Sequence, residues 1–151
     1  MLLERSAGGR SMKAIFYLLL LRQLIVVVVA DHTVALTLLA EARGEGERGM
    51  AAVACVIRQR AEERGLSFKQ VCLQKWQFSC WNGKQAKDLK HLLEEPQAKY
   101  ALWLEANMDK LKPEALGYAN HYHATWMKKL PYWAKGKKPV KTVGQHAFYK
   151  L

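Results

Sequence analysis

Leu38-Leu39-Ala40-Glu41-Ala42-Arg43-Gly44-Glu45-Gly46-Glu47-Arg48-Gly49 runs straight into the apolar segment Met50 to Ile57. Asp31 or Thr33 can cap a helix in which Val34, Leu36, Leu38 and Leu39 precede Glu41, and Gly44 ends it. After a Gly44 to Gly49 turn, Met50, Val53, Ala54, Val56 and Ile57 predict a helix apolar over most of its circumference. Such a helix belongs at the centre of a core. Arg58, Arg60, Glu62 and Glu63 then lead into solvent, and Gly65 stops the helix. The junction places a carboxylate, Glu41, at the end of a greasy helix beside an open turn. An apolar surround disfavours the ionised form of a carboxylic acid, so a group there can hold a proton near neutral pH and donate it.

Working outward, Ser67-Phe68-Lys69-Gln70 reads as a capping box for a short helix through Leu73. Trp76 to Asn82 is irregular and aromatic, as suits a cleft-lining loop or short hairpin. A longer helix follows, roughly Pro96 to Met108, with Ala98, Ala101, Leu102 and Glu105 on one face, and Pro113 closes that region. Beyond Gly117 the chain is rich in Tyr, His, Trp, Pro and Lys without a clear period and reads as loops and short helical turns. Strands do not alternate with helices, so no parallel sheet is expected. The expected fold is mainly α, α+β at most, with a buried central helix and a cleft of irregular aromatic loops.

At 151 residues, half of them apolar, the chain suits one domain with a real core. Its net charge of +11, with seven lysines after Met127, favours polyanionic partners. Anionic envelope polymers and membrane head groups fit; no recognisable nucleic-acid motif accompanies the charge. Residues 1–30 read as a leader. An apolar stretch of 17 residues broken by Arg22 follows the basic Arg5, Arg10 and Lys13, and Val28-Val29-Ala30 offers a cleavage site. Export signal, releasable anchor and a misplaced start remain open, with residues 31–151 as the functional domain. Export would put the functional domain in the periplasm or cell envelope.

Three cysteines leave one unpaired whatever disulfide forms; Cys72 and Cys80 are close enough in sequence to bridge, and Cys55 reads as a small buried thiol. His121, His123 and His146 lack the spacing of a metalloprotease, so neither metal nor cofactor is expected. A Cys-His nucleophile pair would need Cys80 or Cys72 with His121 or His146, without motif context. Trp76, Trp81, Trp126, Trp133, Tyr118, Tyr122 and Tyr132 offer flat faces for sugar rings. Gln77, Ser79, Asn82 and Asn120 could bind hydroxyl and acetamido groups, with His121 and Tyr122 beside them.

Four blocks, in order, carry a resemblance. They are Ala40-Glu41-Ala42-Arg43-Gly44-Glu45 with Val53 to Arg60, Trp76-Gln77-Phe78-Ser79-Cys80-Trp81-Asn82, Gly117 to Ala124, and Val143-Gly144-Gln145-His146-Ala147-Phe148-Tyr149. Together they resemble the SleB/CwlJ-type cell wall hydrolase family over Thr33 to Leu151. The resemblance implies a lysozyme-like, mainly helical fold acting on peptidoglycan glycan strands; a monomer is expected. It also implies a single-Glu lytic transglycosylase: Glu41 protonates the bond between N-acetylmuramic acid and N-acetylglucosamine, then takes the proton of the muramic 6-hydroxyl. Glu45 and Glu47 read as solvated turn residues, weak as a second carboxylate. A muramidase that hydrolyses the bond and a non-catalytic cationic wall-binding module are the alternatives, and a short basic domain leans towards a phage or prophage endolysin.

Overall fold

The computed structural model describes residues 31–151, and the leader reading lies outside them. Helix α1 (Thr33–Ala42) leads through a 3-10 turn (Arg43–Glu45) into the long α2 (Gly46–Arg64). Three short helices follow: α3 (Phe68–Leu73), α4 (Ala86–Leu89) and α5 (Ala98–Ala106). Strands β1 (His121–Ala124), β2 (Lys141–Val143) and β3 (His146–Tyr149) close the described chain. The domain is mainly α with one small sheet, as the sequence suggests. Among the described residues, no helix is long and apolar enough to cross a membrane.

The two helices of the opening motif form the core. Leu36, Leu38 and Leu39 of α1 and Met50, Val53 and Ile57 of α2 are essentially inaccessible and belong to one cluster with Val71, Phe78, Leu104 and Met108. Cutting one such leucine to alanine costs about 2–5 kcal/mol. Helix α2 ends at Gly65, whose φ of 62° is the left-handed stop expected of it. Ser67 and Gln70 form the predicted capping box, each side chain bonding the other's backbone N–H.

Several boundaries differ from the sequence reading. Helix α2 starts at Gly46, so Gly49 lies inside it. Neither Asp31 nor Thr33 is the N-cap of α1; His32 is, in a left-handed conformation. Asp31 accepts from the Thr33 N–H, while Glu105 of α5 accepts from the N–H groups of Val34 and Ala35 at 3.0 and 3.2 Å. Glu105 thus caps a helix 70 residues upstream and fixes the C-terminal end of α5 at the start of α1. Arg58 and Arg60 do not lead into solvent. Arg58 donates to the carbonyls of Met108, Asp109 and Leu111, and Arg60 is 5% exposed.

The tail beyond Gly117 is also more regular than its composition suggests. Its strands form an antiparallel sheet of order β1-β3-β2, with His121 opposite Tyr149 and Val143 opposite His146. Every residue of β3 is buried, so no apolar-polar alternation marks it, and strands of three or four residues are too short to reveal a period.

Candidate active site

Glu41 occupies the last turn of α1, half-buried. Its Oε1 accepts from the backbone N–H of Cys80 at 3.3 Å and its Oε2 from the hydroxyl of Tyr122 at 3.0 Å. The first donor comes from the Trp76 to Asn82 segment and the second from β1. The carboxylate is thereby clasped between the two aromatic segments that the sequence assigns to a cleft.

Each donor is itself held. Cys80 lies in a 3-10 turn, Ser79–Trp81, whose Trp81 indole N–H donates to Thr37 Oγ1 at 2.9 Å. Thr37 in turn donates to the Thr33 carbonyl, so the loop is pinned to α1 one turn before Glu41. The Tyr122 ring meets the edge of His146 at 5.0 Å and lies 5.5 Å from Phe148. Burial first, then the neighbouring Glu41 charge, pushes the Tyr122 phenol well above its ordinary range. It stays a donor at any neutral pH.

Glu45 is not the solvated turn residue its sequence context suggests. It is half-buried, and its Oε2 accepts from the Gln145 backbone N–H at 2.7 Å. A Cβ at Gly144 would lie 2.0 Å from that oxygen, and one at Gly49 would lie 2.1 Å from the Glu45 Cβ. Both glycines make room for this one side chain, and the φ of 55° at Gly144 suits glycine in addition. Glu47 is exposed in the first turn of α2.

These contacts give the C-terminal block a physical meaning. Gly144 admits Glu45, His146 abuts Tyr122, Phe148 is fully buried, and Tyr149 meets His123 Nε2 through its hydroxyl at 3.1 Å. The ring of His146 is buried with Nδ1 unpartnered. Burial lowers its pKa, while the charges of Glu45 and Glu41 pull the other way. Both carboxylates therefore act on one imidazole.

The other predicted residues divide. Ser79 is exposed beside Cys80, and Gln77 is half-buried with its Oε1 accepting from Arg64 at 3.1 Å. Trp81 lines a hollow of about 310 Å³ with Trp76, Phe78 and Asn82. Asn120, expected to meet sugar, is buried, and its amide donates to Glu63 and the Leu151 carbonyl and accepts from the Leu151 N–H. That engagement makes it a tie between α2 and Leu151, just past β3. His121 meets Asn120 Oδ1 through Nδ1 at 2.9 Å and packs on Trp133 at 5.0 Å. Beneath them, Arg60 donates to the Asn120 carbonyl at 2.7 Å and lies over the Phe78 ring; burial lowers its pKa to about 10, so it remains a cation.

All three cysteines are free, so Cys72 and Cys80 do not bridge. Cys72 is buried, while Cys55, read from the sequence as a small buried thiol, is half-buried. Burial raises Cys72 to about 12, and burial with the Glu41 charge pushes Cys80 up as well. A nucleophilic cysteine needs the opposite shift. Among the described residues, no group of three or more His, Cys, Asp or Glu side chains could hold a metal. The aromatic residues Trp76, Tyr118, Trp126 and Tyr132 are all exposed.

Sequence reasoning missed the service of Glu45, whose signal was the pair Gly49 and Gly144, and it passed over Trp103, exposed on α5. Comparison with curated proteins found no match, and comparison with solved structures found none. The family model described as cell wall hydrolase matches residues 44–149, from just after Glu41 through the last strand. That span covers the hairpin that receives Glu45 and both donors to Glu41, Cys80 and Tyr122, while Glu41 itself and Thr37 precede it, and peptidoglycan is the substrate it implies. The chain belongs to the SleB/CwlJ-type cell wall hydrolase family, enzymes that degrade peptidoglycan.

Proposed function

We propose that the enzyme cleaves the glycosidic bond between N-acetylmuramic acid and N-acetylglucosamine with Glu41 as its single acid and base, releasing 1,6-anhydro ends. The clasp of the Glu41 carboxylate between Cys80 N–H and Tyr122 O–H carries this reading. Each oxygen keeps a second lone pair for the transferred proton. In the acid form Glu41 protonates the leaving oxygen; once ionised, it is stabilised by two fixed donors and takes the proton of the muramic 6-hydroxyl. Attack by the sugar's own hydroxyl needs no activated water and gains from its high effective concentration. Glu41→Gln should lower lytic activity at least ~10²-fold with the fold intact. Clearing of purified wall by that variant at close to the wild-type rate would refute the role.

A hydrolytic reading has one observation in its favour, since Glu45 shares the surroundings of His146 with Glu41 and is a second carboxylate near the cleft. Mass spectrometry of released muropeptides separates the two: anhydro ends mark the transglycosylase, reducing muramic ends the hydrolase. Glu41→Gln protein that binds wall and never cleaved it as wild type would mark a cationic wall-binding module. We place the working enzyme at the envelope as a monomer, reached by export or, for a phage or prophage endolysin, from the host cytoplasm at lysis. The exposed lysines 128, 129, 135, 137 and 138 support attraction to anionic envelope polymers or a membrane surface, and nucleic acid has no part in this reading.

A further inference from the structure

A cavity of about 580 Å³, within the range of small-ligand sites, opens between the first turn of α2 and the start of α5. Glu47, Pro96, Gln97, Lys99, Tyr100 and Trp103 line it. Tyr100 and Trp103 stack on each other at 5.7 Å with their planes 13° apart, and Trp103 is 53% exposed, so one ring, braced by the other, is open to solvent as an aromatic platform. Beside it, Gln97 Oε1 is buried without a donor from the protein. An acceptor in that state favours a ligand that brings an N–H.

The platform lies at the acid's end of the molecule. Glu105 at the C-terminal end of α5 caps the start of α1, so α5 runs back alongside α1 and brings Gln97 and Tyr100 towards the end that carries Glu41. Glu47, six residues beyond Glu41, is close enough to Tyr100 to add to the burial that raises its phenol.

We propose that this cavity is a second saccharide subsite, in which a pyranose ring stacks on Trp103, braced by Tyr100, and its acetamido N–H donates to Gln97 Oε1. This subsite rests on the glycan-cleaving reading above and extends it: a strand engaged here is held away from the bond being cut. An aromatic plane matches the C–H face of a sugar, while Lys99 and Glu47 at the rim can take hydroxyl groups.

The test uses the full chain carrying Glu41→Gln and the N-acetylglucosamine tetramer as probe, followed by two-dimensional NMR. The expected result is movement of the Trp103 indole and Gln97 side-chain amide signals. Adding Trp103→Ala should weaken tetramer binding about tenfold, and Trp103→Phe, which keeps a plane, should restore most of it. In the active enzyme, Trp103→Ala should raise KM on wall glycan with kcat within twofold. Unmoved Trp103 and Gln97 signals at millimolar tetramer would overturn the subsite, as would a Trp103-dependent dimer in sedimentation. Loss of the Glu41 assignment would show separately, as lysis by Glu41→Gln, and would leave the tetramer shifts readable.

Discussion

The Tyr122 hydroxyl donates to Glu41 Oε2 across 3.0 Å, joining the end of the first core helix to the first strand of the sheet, 81 residues later. Tyr122→Phe removes this donor and leaves the ring against His146 and Phe148. Lytic turnover should fall about 10- to 10³-fold, the scale for one preorganised donor, while stability drops only about 1 kcal/mol. Wall-clearing rates beside thermal melts check both halves; unchanged turnover would remove Tyr122 from the mechanism.

The packing of Glu45 sets a contrast between glycines. Gly49→Ala puts a Cβ 2.1 Å from the Glu45 Cβ, which cannot swing aside as a side-chain tip can. About 1–3 kcal/mol of destabilisation is expected. Gly44→Ala meets nothing within 4 Å and should stay within about 0.5 kcal/mol of the parent. Urea titrations of the two variants measure the difference directly.

Acid should loosen the tie around Asn120. Burial raises the pKa of Glu63, but hydrogen bonds from Lys150, Asn120 and Gln59 outweigh it and hold the group at about 2. A depressed carboxylate contributes stability that is whole above its unfolded value of about 4.3 and is lost as the pH falls towards about 2. Glu63→Gln should therefore flatten the stability profile between those limits and leave its slope from pH 6 to 8 unaltered.

Cysteine chemistry offers a further discrimination. With the thiols of Cys72 and Cys80 held protonated by burial, alkylation at pH 8 should be far slower than for a free cysteine. Cys80→Ser keeps the backbone donor to Glu41 and should retain lytic activity within a few-fold, releasing no free peptides from wall. An inactive Cys80→Ser of native stability would instead point to a cysteine peptidase.

What the sequence made legible was the part governed by local rules. Met50 to Ile57 declares a buried helix, Ser67 and Gln70 declare a cap, and Glu41 before Gly44 declares a carboxylate beside a helix end. What it hid depends on partners far along the chain. Arg60 looks like a surface residue until the Asn120 carbonyl and Phe78 ring enclose it, and Asn120 looks free until Glu63 and Leu151 occupy its amide. The sheet escaped notice because β3 is buried on both faces. Trp103 sits on a helix whose periodicity drew attention to its buried face instead.

The grip of Glu45 on the Gln145 backbone spans 100 residues, and the β3 residues that seat Tyr122 follow immediately. Translation must therefore pass Phe148 before the acid's surroundings can assemble. A nascent or prematurely stopped polypeptide would carry Glu41 without the hairpin and strand that enclose it.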